Sequence, residues 1–135
     1  MKDKVLENEY IRFWIENGIL FSDYKKPINL DLNLGVEIIR LRHEISAGEK
    51  QYWCYDFKNI ISMPSETKEH AAKYGQEYLH ATAVIVYNHL QKFIVNIFIS
   101  LKKPTIPFMA FTDKEKALQW LKLHQEKNKT LRAEQ

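Results

Sequence analysis

The sequence predicts a single α/β domain: a mixed, mostly parallel five-stranded sheet that opens on an N-terminal β-hairpin and carries about four helices, in the order ββαβαβαβα. Three observations predict it. Stretches of alternating or continuously apolar residues take turns with stretches of helical period. An Asn-Gly pair sits between the first two strand-like runs, where a tight hairpin needs positive φ. The 135 residues, 45% of them hydrophobic, hold enough apolar surface for one core and show no linker, repeat or second domain. Strands separated by helices pair in parallel through right-handed crossovers.

The hairpin is read from Tyr10–Ile15 and Ile19–Phe21 around Glu16-Asn17-Gly18, and Lys25-Lys26-Pro27 closes it because proline cannot continue a central ladder. From Asp31 the period becomes helical. Leu34, Ile38, Leu41 and Ile45 share a face, widened by Ile39, with Glu37, Arg40 and Glu44 opposite and Gly48 as the stop. Gln51 to Phe57 is the third strand. A polar helix runs from Pro64-Ser65 to Tyr74 and halts at Gly75. Thr82–Tyr87 is a short apolar run of the kind covered on both faces. Asn88, with Gln91 three residues on, starts a helix that stops before Pro104; Ile106–Phe111 is the fifth strand. Thr112-Asp113-Lys114-Glu115 reads as a capping box with Thr112 as cap, and Ala117, Leu118 and Leu121 mark the core face of the last helix, with Trp120 at its flank. Residues 1–125 form the domain on this reading, and 126–135 a frayed polar tail.

Composition excludes several functions. No apolar run approaches the ~18–20 residues of a membrane helix, so no integral membrane association is expected. The start, with Lys and acids among its first residues, lacks a signal peptide's apolar region, and the expected location is cytoplasmic. The net charge of +3 gathers partly near the C-terminus, where Lys122, Lys127, Lys129 and Arg132 outnumber Glu126 and Glu134; elsewhere Lys and Glu intermingle, so no nucleic acid is expected as partner. Cys54, the single cysteine, lies in the strand-like Tyr52-Trp53-Cys54-Tyr55 and reads as a small packed hydrophobe.

No catalytic constellation emerges, and no cofactor or metal is expected. The four glycines form neither a dinucleotide fingerprint nor a phosphate loop, and Gly-x-Ser-x-Gly is absent. His43, His70, His80, His89 and His124 show no ligand spacing, and His80 is expected to pack against Tyr78. Asp56, at a strand's C-terminal end, is the best single polar candidate, since α/β ligands bind at such ends. Asn59, Ser62 and Asn88 approach the same edge. A turn or capping acceptor is the bland alternative for Asp56.

With these elements in place, Gly48 through Asp56, Lys103-Pro104 and above all Phe111-Thr112-Asp113-Lys114-Glu115-Lys116-Ala117-Leu118-Gln119-Trp120-Leu121 resemble the SpoIIAA-like (STAS-related) domains, over about Glu9 to Lys122. The resemblance implies a sheet flanked by helices and, as in anti-anti-sigma factors, a regulator that binds a protein partner. It also implies a phosphorylated serine in an Asp-Ser-Ser-Gly-like turn after the third strand. The matching stretch is Ser62-Met63-Pro64-Ser65, which makes Ser65, then Ser62, the phospho-acceptor candidate. The neighbouring Asp and following Gly are missing, and Glu66 would repel a phosphate, so a capping role competes for either serine.

The least ordinary segment is His89–Leu101. Lys92, Asn96 and Ser100 form one narrow polar stripe, and Phe93, Ile94, Val95, Ile97, Phe98, Ile99 and Leu101 surround it. Surface helices are apolar on one side only. Three covers are open: Trp14, Phe21 or the final helix; a protein partner, an identical chain being simplest; or a small apolar, lipid-like ligand or membrane surface. Phe93, Ile94, Ile97, Phe98 and Leu101 are the contact candidates. The expected function is a non-enzymatic regulatory or binding module acting through protein contacts, or alternatively a carrier or sensor of a small apolar ligand. Strand propensity of Ile94–Ile99 competes with helix, and the Asn88 cap favours helix.

Overall fold

The computed structural model describes residues 4–133; the first three residues of the acidic start, and Glu134, lie outside them. Twelve elements follow one another: β1 (Lys4–Glu7), β2 (Ile11–Glu16), β3 (Ile19–Tyr24), β4 (Ile28–Asn29), α1 (Leu32–Ser46), β5 (Gln51–Asp56), β6 (Ile60–Ser62), α2 (Ser65–Tyr74), β7 (Leu79–Ile85), α3 (His89–Leu101), β8 (Phe108–Phe111) and α4 (Lys114–Ala133).

The main sheet has six strands in the order β1-β2-β3-β5-β7-β8, antiparallel from β1 to β3 and parallel from β3 to β8. The hairpin forms where expected: Asn17 and Gly18 take φ of 53° and 76°, which a two-residue turn between right-twisted strands requires. The sixth strand is β1, laid antiparallel along β2. Its Lys4 and Glu7 suit an edge that must not recruit another chain, and a charged four-residue strand leaves no periodic signal. A second sheet of two strands, β4 and β6, ties the segment after the hairpin to the one after β5.

Because β3, β5, β7 and β8 lie in sequence order, right-handed crossovers place α1, α2 and α3 on one face of the sheet, and α4 returns on the other. Alternating strand residues serve two cores. Phe13, Leu20, Trp53 and Val84 meet Ile38, Leu41, Ile94 and Val95 on the three-helix side. Ile19, Tyr52, Cys54, Ala81, Ala83 and Ile85 meet Ala117 and Leu121 of α4. The alanines on both surfaces let α4 approach β7 closely.

Helix α1 follows its pattern. Asp31 caps it by accepting from Leu34 N at 2.9 Å, Arg40 pairs with Glu37 at 2.6 Å, and Ala47 and Gly48 turn the chain out with positive φ. Two boundaries near the last helix differ from expectation. Asp113 is the cap of α4, accepting from Glu115 N at 2.9 Å, in place of Thr112. The polar segment after residue 125 is no frayed tail within the described residues: α4 continues to Ala133, and Asn128 Nδ2 donates to the Tyr52 hydroxyl at 2.7 Å. That anchor sits on β5, too far along the chain for a local pattern to show.

Candidate functional site

Helix α3 is a helix, as its cap signals: Asn88 Oδ1 accepts from Gln91 N at 2.8 Å. Residues Gln91, Ile94 and Val95 are buried beneath it, and Phe98 is half-buried against Phe108 with ring centroids 5.3 Å apart. Leu90, Phe93 and Leu101 remain 50%, 56% and 46% exposed, with Ile97 half-buried among them. At intervals of three, four and four residues these make one stripe beside the buried face.

The intramolecular cover by Trp14, Phe21 or the final helix does not form. Trp14 and Phe21 stack on each other at 5.4 Å on the α4 side of the sheet, where α4 itself packs through Ala117 and Leu121. The Lys68 ammonium lies over the Phe93 ring, 6.0 Å from its centre. Of the contact candidates, Phe93 and Leu101 are free to meet a partner, Ile97 is partly so, and Ile94 (2% exposed) and Phe98 belong to the core side. The sequence pattern does not mark Leu90, which lies in the first turn, before the continuous apolar run begins.

Beneath α3 lies a cavity of about 80 Å³, walled by Ile38 of α1, Ala71 of α2, Ile94 and Phe98 of α3, and Trp53 and Val84 of the sheet. Its walls are nearly all apolar. Two wall residues carry buried polar atoms without a protein partner: the Thr67 hydroxyl at the α2 start, and Gln76 Nε2 just beyond the α2 end. Thr67 is an easily tested case. Its methyl group faces Gly35, and its hydroxyl is buried at the cost of its water hydrogen bonds. Thr67→Val keeps the shape and removes that cost, so the protein should become more stable by about 1 kcal/mol. Chemical denaturation measures this; a loss of stability instead would show that the hydroxyl has a partner.

Arg42 is fully buried beside this cavity, a placement its charge hides in the sequence. It lies 4.9 Å from the centre of the Trp53 ring and donates to Glu77 O at 2.8 Å and Gly75 O at 3.1 Å. Burial pushes its pKa down to about 10, against the smaller opposing influence of Tyr55 and Glu77. Gln91, also fully buried, is fully engaged: Oε1 accepts from Tyr87 N at 2.8 Å, and Nε2 donates to Phe57 O at 2.7 Å and Ile60 O at 3.1 Å.

At the C-terminal edge of the sheet, Asp56 Oδ1 accepts from Lys58 N at 2.8 Å and Oδ2 accepts from the Tyr87 hydroxyl at 3.0 Å. Desolvation, then the Asp56 charge, pushes that hydroxyl up to about 12. Asn59 Nδ2 donates to Tyr24 O at 2.7 Å and Asn88 is the α3 cap, so both serve structure and the expected cluster reduces to Asp56 with Tyr87. In the sequence Tyr87 reads only as the end of an apolar run.

Neither serine caps α2. Pro64 holds the cap position, Ser65 is the exposed first helical residue, and the Ser62 hydroxyl bonds to Asn29 Oδ1 at 2.7 Å in the small sheet. Cys54 is buried, and burial pushes its thiol up to about 12. His80 stacks on Tyr52, not Tyr78; it is His43 that meets Tyr78 edge-on, at 5.0 Å. Among the described residues no three His, Cys, Asp or Glu converge to hold a metal ion, and no helix is long and apolar enough to cross a membrane.

Comparison with known proteins agrees with this architecture. An uncharacterised protein of the DUF3478 family from Shewanella loihica PV-4, solved by crystallography and described as having a SpoIIAA-like fold, superposes with a TM-score of 0.60 at 18% identity, over 86% of this chain and 97% of that one. At that identity the likeness shows the fold alone. No curated protein matches the chain. The model of one family, described as a domain of unknown function (DUF7793), matches residues 13–125. The chain thus belongs to the DUF7793 family and carries it on a SpoIIAA-like fold.

Proposed function

We propose that this domain is a non-enzymatic regulatory or binding module that works through protein–protein contacts made by the outer stripe of α3. The observation that carries this reading is the exposure of Leu90, Phe93 and Leu101 along one helix face. Isolated exposed apolar residues, such as Leu123 on α4, are ordinary on any protein surface. A contiguous row on a helix whose opposite face already fills the core is different, because it keeps apolar area in water that a partner would cover. A helix lying in a partner's groove is read through anchors at this spacing. The buried thiol and the engaged Asp56 offer no free nucleophile or base, which supports a binding role over a chemical one.

Site-specific photo-crosslinking in cells tests this. A benzophenone side chain in place of Phe93 should form discrete protein adducts, and the same group in place of Leu123 should form none. Sedimentation of the purified protein then tells whether the adduct is a second copy of the chain. Position 93 giving no protein adduct, or the same adducts as position 123, would overturn the proposal.

A further inference from the structure

The cavity under α3 has a polar end that the packing leaves unused. Gln76 Oε1 accepts from Thr105 N at 2.7 Å and from the Thr105 hydroxyl at 3.1 Å. A backbone N–H can only donate, so the amide is held with its oxygen toward Thr105 and its Nε2 turned away. That Nε2 is buried without a protein partner, on a residue that lines the cavity. The Arg42 guanidinium braces the same turn from behind through Gly75 O and Glu77 O, and its Nε is also buried and unpartnered. Both carbonyls are neutral, so this buried cation has no carboxylate hydrogen-bonded to it. One end of an otherwise apolar space therefore presents an unused donor, with a positive charge buried behind the same turn. The rest presents Ile38, Val84, Ile94 and Phe98.

We propose that this cavity is a binding site for a small apolar carboxylic acid, its carboxylate received at Gln76 Nε2 beside the Arg42 charge and its hydrocarbon body held between α3 and the sheet. The carboxylate supplies an acceptor oxygen to the Gln76 donor that lacks one, and its charge offsets the guanidinium buried behind the turn. Size narrows the class. A dry apolar cavity of ~150 Å³ holds a benzene ring, so about 80 Å³ suits a body of a few carbon atoms. Longer chains must part α2 and α3 from the sheet. The α3 C-terminal half is where they can part, because Gln91, Ile94 and Val95 hold its first half to the sheet side while Phe98 alone stacks on Phe108 further along.

Thermal melts of the full chain with acetate, butyrate, hexanoate and hexylammonium test the assignment. Butyrate or hexanoate at about 10 mM should raise the melting temperature by about 5 °C, as expected for a dissociation constant near 1 mM, and acetate and hexylammonium should not. Gln76→Glu keeps an acceptor for Thr105, removes the donor and repels the ligand, so the shift should vanish. Ala71→Leu fills the cavity from α2 and should abolish the shift without touching the polar end. Equal shifts with hexylammonium, no shift with any acid, or a shift that survives either substitution would overturn the proposal.

Discussion

Gln91→Leu should cost this domain roughly 4 kcal/mol of stability, a large share of the 5–15 kcal/mol typical of a whole domain. The side chain is fully buried, and leucine matches it in bulk, so packing alone predicts a mild effect. The polar connections decide otherwise. One amide joins three pieces of chain: the N–H of Tyr87 at the end of β7, the carbonyl of Phe57 after β5, and the carbonyl of Ile60 in β6. Leucine would strand the Tyr87 N–H and the Ile60 carbonyl, each at about 1–3 kcal/mol, while the Phe57 carbonyl keeps its bond from Ile60 N at 2.9 Å. The same amide fixes the first turn of α3, so the start of the exposed stripe should loosen as well. Urea unfolding measures the loss, and amide exchange near Phe57 and Ile60 locates it. A loss below 1 kcal/mol would mean that water reaches these groups and that Gln91 does not organise this end of the sheet.

Gln91 also illustrates what the sequence made legible. In sequence it was visible only as the third residue after Asn88, a helix-start signal, and that local role is correct. Its burial depends on carbonyls more than thirty positions away, which no periodicity encodes. Arg42 is the same case: one position from Leu41 on α1, it reads as a solvated charge, and the turn at Gly75–Glu77 makes it part of the core. Features set within one turn of chain were readable, among them the Asn17-Gly18 hairpin, the bounds of α2 and the α1 face. Strands β1, β4 and β6 were not, since two to four residues become strands only through their partners. The apolar excess of α3 was plain in the sequence. Which of its residues stay outside was not, because that depends on the hand of the crossover that brings α3 to the sheet.

A second large effect should appear in alkali. Apart from the half-exposed Tyr87, burial holds three acidic groups of the core protonated in the folded chain: Cys54 is pushed from 9.0 to about 12, Tyr55 from 10.0 to about 12, and Tyr24 well above 10.0 with the Tyr55 charge adding to the effect. The Tyr24 and Tyr55 hydroxyls bond to each other on the three-helix side of the sheet, and Cys54 faces α4, so both cores are involved. For an acid whose folded pKa is raised, the native state keeps a proton that the unfolded chain has released. Its stability is complete below the unfolded pKa and falls as pH rises above it. The fall should begin near pH 9 with Cys54 and steepen above pH 10 with the tyrosines. By pH 12 Cys54 accounts for about 4 kcal/mol and Tyr55 for about 3 kcal/mol. Arg42 acts in the opposite sense, since its folded pKa of about 10 lies below the ordinary 12.5. Its relief above pH 10 is at most about 3 kcal/mol, less than the three acids together. The domain should therefore unfold cooperatively near pH 11, while its stability changes little between pH 7 and 9. Cys54→Ala, whatever it costs at neutral pH, should move the onset from about pH 9 to about pH 10. Urea midpoints at half-unit intervals from pH 8 to 11.5 would show it. A flat profile would mean that neither the thiol nor the tyrosine pair is shielded from water, and the two-core packing on either side of β5 would have to be redrawn.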